Sequence, residues 1–240
     1  LTNLFNGNQC TMLQIGLNSP IVANPDRRPP LTLTVVVDVS GSMNAGGKID
    51  YVRSGLGQLV DAMTDDDQLA IVTYDSDVRT VLPMTPVRMR RAEMRRAVDA
   101  LRADGGTNLY GGLEEGYRVA AGAYDSGRQN RVIMLSDGQP TAGITDADSI
   151  LRMSAAYNSD GIGLTTIGLG SDFNYALMRD LAQTGDGNFY FVESVGAVTE
   201  VFADEISYFT VPVAFDLELS LESGEDFTVS AVHGASRWER

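Results

Sequence analysis

Short apolar runs alternate with longer amphipathic stretches along most of this chain, and that alternation limits what it can fold into. A short run with no wet face reads as a strand buried on both sides. A longer stretch at helical spacing reads as the crossover to the next strand. The expected strands are LTLTVVVDV (31–39), QLAIVTY (68–74), VRTVLPM (78–84), RVIMLSD (131–137), GLTTIGLG (163–170) and NFYFV (188–192). The expected helices cover 48–63, 88–102, 109–123, 147–158, 174–183 and 197–209. Only DSD separates the second strand from the third, too short for a crossover, so these two should form a hairpin with one antiparallel strand. The fold class that follows is α/β: a doubly wound, Rossmann-like, mostly parallel sheet with one antiparallel edge strand and helices on both faces.

The ends read differently. Residues 1–30 form a flanking segment in which TMLQIGLNSPIVANPDRRPP (11–30) reads as a short strand and then a Pro/Arg linker. The α/β domain is expected over 31–210, and 211–240 form a C-terminal β segment whose residues 211–232 alternate apolar and polar at period two. Either the two flanks pair into a small β module beside the domain, or each is an orphan whose partners lie elsewhere. The chain opens on LTNLFNGNQC, without a charged-then-apolar leader, and stops at ASRWER just after strand-like sequence. It therefore reads as an excised piece, and a signal peptide or anchor could have been lost with the rest.

The chemistry concentrates where the first strand ends. DVSGS presents Asp38, Ser40 and Ser42, oxygen donors spaced so that one turn can aim all three at a point. DGGTNLYGGL places Thr107 in a glycine-rich loop before a helix, and RVIMLSDGQPTAG places Asp137 at the carboxyl end of another apolar strand. Ligands of open α/β sheets bind outside the carboxyl ends of the strands at the switch point. Asp38, Ser40, Ser42, Thr107 and Asp137 should thus meet on one rim. Serine and aspartate also cap helices and end strands constantly, which is the bland alternative for DVSGS taken alone.

With these elements in this order the sequence resembles the von Willebrand factor type A domain with its metal-ion-dependent adhesion site. That family's motif is an Asp-x-Ser-x-Ser turn, a later Thr and a later Asp, here DVSGS, GGTN and SDG. The resemblance covers about residues 31–209, including KIDYVRSGLGQLVDAM, DQLAIVTYDSDV and GNFYFVESVGAVTEVFADEI. The wording is most similar to bacterial members related to the inter-alpha-trypsin inhibitor heavy chains and to chloride-channel-regulator-like proteins. The resemblance implies a divalent-metal-dependent adhesion or assembly domain that coordinates a Glu or Asp of a protein partner, in an extracytoplasmic or cell-surface setting. In the segment AVTEVFADEISYF, Val198, Val201, Phe202, Ile206 and Phe209 fall at helical spacing and should bury one stripe against the sheet; the resemblance implies that this helix moves when the site engages its ligand, and the alternative is a static amphipathic helix. The donor set itself, hydroxyls with one or two carboxylates and retained water, suits Mg2+ or Mn2+; Ca2+ fits less well, since it prefers more ligands and often a bidentate carboxylate.

Other classes fit the same residues poorly. An aspartyl phosphatase wants a second acid two residues after its nucleophile, and position 40 is serine. A serine hydrolase needs a base, and the only histidine, His233, lies in the tail outside the α/β pattern. DVSGSMNAGGKID contains no G-x-G-x-x-G after the first strand, which argues against a dinucleotide. The expectation is a binding domain, not an enzyme; the alternative is a scaffold whose metal is idle and whose flanking strands do the binding. A net charge of -14 argues against a nucleic-acid binder and favours cations. No apolar run approaches the roughly 18 residues of a membrane span. The single Cys10 makes no internal disulfide and reads as a plain small side chain. The arginines of RMRRAEMRRAVDALR (88–102) fall on several sides of a helix and read as a solvated face, and TDDDQ reads as turn chemistry rather than metal ligation.

Overall fold

The structure, a computed structural model, describes residues 29–170, 173–185, 187–192 and Val201. Its centre is β1 (Leu31–Asp38), in which valine and threonine fill five of eight positions and every residue is buried. β-branched residues fit a pleated surface packed on both faces. β2 (Gln68–Tyr74) and β4 (Gln129–Ser136) flank it in parallel, with Val36 opposite both Val72 and Met134. β3 (Val78–Pro86) runs antiparallel to β2, and β5 (Gly163–Leu169) and β6 (Phe189–Val192) continue the sheet in parallel beyond β4. The order is β3-β2-β1-β4-β5-β6, the doubly wound arrangement expected. Pro83 and Pro86 sit on the antiparallel edge, where a missing N–H blunts pairing with another chain.

Helices cover both faces. α1 (Lys48–Ala62) and α2 (Arg91–Asp99) bury Val52, Leu56, Leu59, Met94 and Val98 against Leu33, Val35 and Val37. α3 (Leu109–Gly122), α4 (Ala147–Ser159) and α5 (Tyr175–Thr184) bury Leu113, Tyr117, Ile150 and Leu181 on the side that carries Val36, Val72 and Tyr74. The period-two alternation of β1 thus divides one core into two. Val201, alone of 197–209 among the described residues, is helical and packs half-buried against the α1 side. The rest of that segment, and the flanks 1–28 and 202–240, lie outside the described residues.

Two expectations change. The helix expected over 88–102 spans only Arg91–Asp99: it starts late because Met89 takes a left-handed φ of 63° that no helix accommodates, and Ala100 caps its other end. Its arginines are not all a solvated face: Arg91 donates to the carbonyls of Val60 and Met63, and Arg95 pairs with Asp61, so they clamp α2 to the end of α1. A cation there has the favourable sign for the helix dipole. A tight 3-10 turn, Gly41–Gly47, intervenes between β1 and α1, with Gly46 and Gly47 at positive φ. TDDDQ is turn chemistry as expected: Asp67 accepts from Leu31 N at 2.8 Å and Thr64 N at 2.7 Å, tying the amino end of β1 to the turn before β2.

α3 lies so close to the sheet that a β-carbon on Gly112 would stand 2.4–2.8 Å from the Cδ1, Cγ and Cβ of the buried Tyr74. Gly112→Ala should therefore cost about 2 kcal/mol through overpacking and lower the melting temperature by roughly 4–8 °C. Gly122→Ala, on the same helix with nothing within 4 Å of its β-carbon, should hold or raise it. Calorimetric melts of the two variants check this, and equal melting temperatures would contradict the packing described.

Candidate metal centre

β1 and β4 are neighbours in the sheet but not in the chain, so the connections leaving them diverge to opposite faces and open a crevice at their carboxyl ends. Asp38 ends β1 and Asp137 follows β4, and both are essentially inaccessible, at 0% and 1% exposure. A buried carboxylate must be hydrogen-bonded or paired. Asp38 Oδ1 accepts from Ser40 N and Oδ2 from Ser136 Oγ, each at 2.9 Å. Asp137 Oδ1 accepts from Ser42 Oγ at 2.7 Å, and its Oδ2 accepts from Lys48 Nζ at 2.7 Å. Ser40 Oγ and Ser42 Oγ stand 3.0 Å apart.

The serines are not spent on capping. Ser40 precedes the 3-10 turn without a side-chain cap bond, and the residue preceding α1 is Gly47. Their hydroxyls face each other and Asp137 instead, so the capping alternative does not describe DVSGS. Thr107 arrives from another loop. Asn108 caps α3 by accepting from Gly111 N at 3.1 Å, and Thr107 is the residue before that cap. Thr107 O accepts from Thr141 N at 3.0 Å, and Thr107 N donates to Thr141 Oγ1 at 3.0 Å, which binds this loop to the one after β4. Thr107 Oγ1 and Ser42 Oγ converge, 3.8 and 4.0 Å from where a β-carbon on Gly138 would stand. The structure thus brings all five sequence-identified residues to one rim.

Three further residues belong to this network. Ser136 bridges to Asp38, Lys48 pairs with Asp137, and Tyr74 places its hydroxyl 3.3 Å from Leu135 O in the same buried pocket. Two signals for them were present in the chain: a hydroxyl in the apolar run RVIMLSD, and a lysine at the first position of a helix, the unfavourable sign for its dipole. Burial pushes the Asp38 carboxyl up; the bonds from Ser40 and Ser136 pull it back, and the charge of Asp137 pushes it up again. Burial, followed by the charge of Asp38, lifts the Tyr74 phenol well above its ordinary range. Hydroxyls and carboxylates without imidazole or thiolate are the donor set of a hard cation. Among the described residues no group of three or more His, Cys, Asp or Glu forms a softer site. His233 lies outside them. Asp38, Ser40, Ser42, Thr107 and Asp137 therefore fit a divalent ion as candidate ligands.

The von Willebrand factor type A domain family model matches residues 32–204. Protein YfbK of Escherichia coli K12 is 33% identical over 195 residues, covering 81% of this chain and 34% of that protein. Mouse inter-alpha-trypsin inhibitor heavy chain H2 is 27% identical over 165 residues, covering 66% of this chain and 17% of that one. The chain thus spans about a third of the length of the first of these relatives and about a sixth of the second. Proximal thread matrix protein 1 of the mussel byssus, solved with a zinc-occupied MIDAS motif, superposes with a TM-score of 0.64 at 20% identity over 78% of this chain and 47% of that one. At that identity the likeness is one of fold.

The position of Asp38 has a stability consequence of definite sign. A carboxyl whose folded pKa lies above its unfolded one favours folding when protonated. Metal-free stability therefore falls as pH rises from the unfolded value through the folded one, and stays lowered above it. Asp38→Asn can keep the bonds to Ser40 N and Ser136 Oγ while removing the charge. In a chelator at pH 7 it should melt at or above the wild type, with the gap closing as pH falls toward about 4. A clearly lower melting temperature for Asp38→Asn at pH 7 would contradict this.

Proposed function

The chain belongs to the von Willebrand factor type A domain family, and from that premise we propose that this rim is a divalent-metal-dependent protein-binding site. Asp38, Ser40, Ser42, Thr107 and Asp137 hold a Mg2+ or Mn2+ ion, and a Glu or Asp of a protein partner completes its shell. Domains of this family generally mediate metal-dependent protein interactions. The observation that carries the reading is the orientation of the serines. Ser40 and Ser42 bring their hydroxyls together beside a buried Asp137, where local helix chemistry gives them no task. The zinc-occupied motif of the mussel protein, which shares this fold, supports a cation at the corresponding rim.

When bound, such an ion supplies a positive charge with a replaceable water, a docking point for a hard anionic donor. Neutral hydroxyls in its shell leave more of that charge for the incoming carboxylate than a third acid would. This chain's own contribution is to hold the donors in place and to surround them with loops 43–47, 108–112 and 138–146. Those loops have to supply specificity, because one carboxylate is a small part of an interface. Among the described residues the rim has no imidazole, and its two carboxylates accept hydrogen bonds from Ser40 N, Ser136 Oγ, Ser42 Oγ and Lys48 Nζ. Binding is the chemistry this arrangement serves.

Calorimetric titration tests the reading. The wild type should take up one Mg2+ or Mn2+, gaining about 2.7 kcal/mol of stability when the ion is at a hundred times its dissociation constant. Thr107→Ala and Asp38→Ala should weaken that uptake at least about tenfold. Capture of a protein partner from source cells should be lost in excess chelator and in Thr107→Ala. Uptake unchanged by both substitutions would overturn the site, and capture indifferent to chelator would leave a scaffold in place of a metal-dependent binder.

A further inference from the structure

Lys48 is the first residue of α1 and, among the described residues, a cationic side chain that pairs with the rim. Its Nζ stands 2.7 Å from Asp137 Oδ2, and the side chain is 18% exposed. The backbone makes room for it. Gly170, at the carboxyl end of β5 with φ +73°, donates its N–H to Val192 O at 3.0 Å. A β-carbon on Gly170 would stand 3.1 Å from Lys48 Cε and 3.4 Å from its Nζ. The absence of that carbon leaves a slot through which the lysine stem reaches the carboxylate. The helix dipole disfavours a cation at this position, so the attraction holding it must come from Asp137. Asp38 has no such partner among the described contacts: both of its oxygens take neutral donors.

We propose that Lys48 is a resident counter-cation of the rim. It neutralises Asp137 while no divalent ion is bound, and it weakens the binding of that ion by charge repulsion. The proposal rests on the metal reading above and adds to it a residue that sets the affinity rather than one that ligates. Asp137 then divides its two oxygens between the chain's own ammonium and the Ser42 side of the rim, where the remaining donors converge. The domain can thus stay folded with an empty site and load only where the divalent ion is plentiful. Like charges sharing one carboxylate lie within a few ångströms of each other. Even at water-like screening a unit charge at that range changes the binding of a divalent ion by about tenfold.

The test is Lys48→Met, which keeps an apolar stem of similar length and removes the charge, with Lys48→Gln as a second variant. Each is titrated with MgCl2 by calorimetry and melted in a chelator. The expected result is a pair of opposite changes: the metal-free melting temperature falls by several degrees, and Mg2+ binds at least about tenfold more tightly. A merely structural lysine would lower both, so equal or weaker Mg2+ binding in either folded variant overturns the proposal. Wild-type protein that takes up no Mg2+ overturns the metal reading itself and this assignment with it, a result distinguishable from failure of the Lys48 step alone.

Discussion

Asp38 closes a strand that is buried along its whole length, so a carboxylate has to be accommodated where water does not reach. Charge in such a place is tolerated only if the protein supplies the solvation. Ser40 N and Ser136 Oγ do so, and each has a structural corollary. For Ser40 N to reach back to its own strand end, the chain must turn sharply after Val39, and that turn carries Ser40 and Ser42 over the rim. For Ser136 to reach Asp38, β4 must pair beside β1, with Val37 opposite Leu135, and that pairing delivers Asp137 one residue later. The second carboxylate is thus brought to the first by the same contacts that make the first tolerable.

The loops around the rim are fastened to one another as firmly as to their strands. Gly41 N donates to Gly105 O at 3.0 Å and Asp104 N to Val39 O at 2.7 Å, which joins the turn after β1 to the loop carrying Thr107. Asn108 N donates to Asp75 O at 2.7 Å, bringing in the end of β2. A binding site built on such cross-ties is held in place before its ligand arrives, so less ordering has to be offset on association. The electrostatics oppose stability at the same point. Two buried acids with one ammonium, paired to Asp137, leave a negative rim; burial raises the Asp38 carboxyl, and the charge of Asp137 adds a smaller push. Strain of this kind at a functional site is expected where a ligand of opposite charge relieves it.

Most of the scaffold was legible because a buried parallel strand announces itself as an apolar run. The six strands fall within two residues of LTLTVVVDV, QLAIVTY, VRTVLPM, RVIMLSD, GLTTIGLG and NFYFV. The spacing of DSD also settled the hairpin. The helix expected over 88–102 was overextended because nothing in RMRRAEM marks Met89 as left-handed; its side chain is almost fully exposed and no packing pattern records the turn. Asp38, Ser40, Ser42, Thr107 and Asp137 were legible as a group because each sits at a strand end or loop that the pattern had already placed on one side of the sheet. Lys48 and Ser136 left only a lysine opening a helix and a hydroxyl in an apolar run, which name no partner, since their contacts join residues 89 and 98 positions apart and depend on the pairing of β1 with β4. The role of Arg91 and Arg95 was missed for a similar reason: a clamp between helices looks, along one helix alone, like a charged face.

The central claim is that five oxygen-bearing side chains from three loops hold one divalent ion. Anomalous diffraction from crystals soaked in MnCl2 addresses it most directly. The account predicts a single strong manganese peak on the rim, in contact with Ser40 Oγ, Ser42 Oγ and Thr107 Oγ1 and lost in Asp38→Ala. A soaked crystal with no peak there, or with its manganese at Asp65, Asp66 and Asp67 at the opposite end of the sheet, would contradict it.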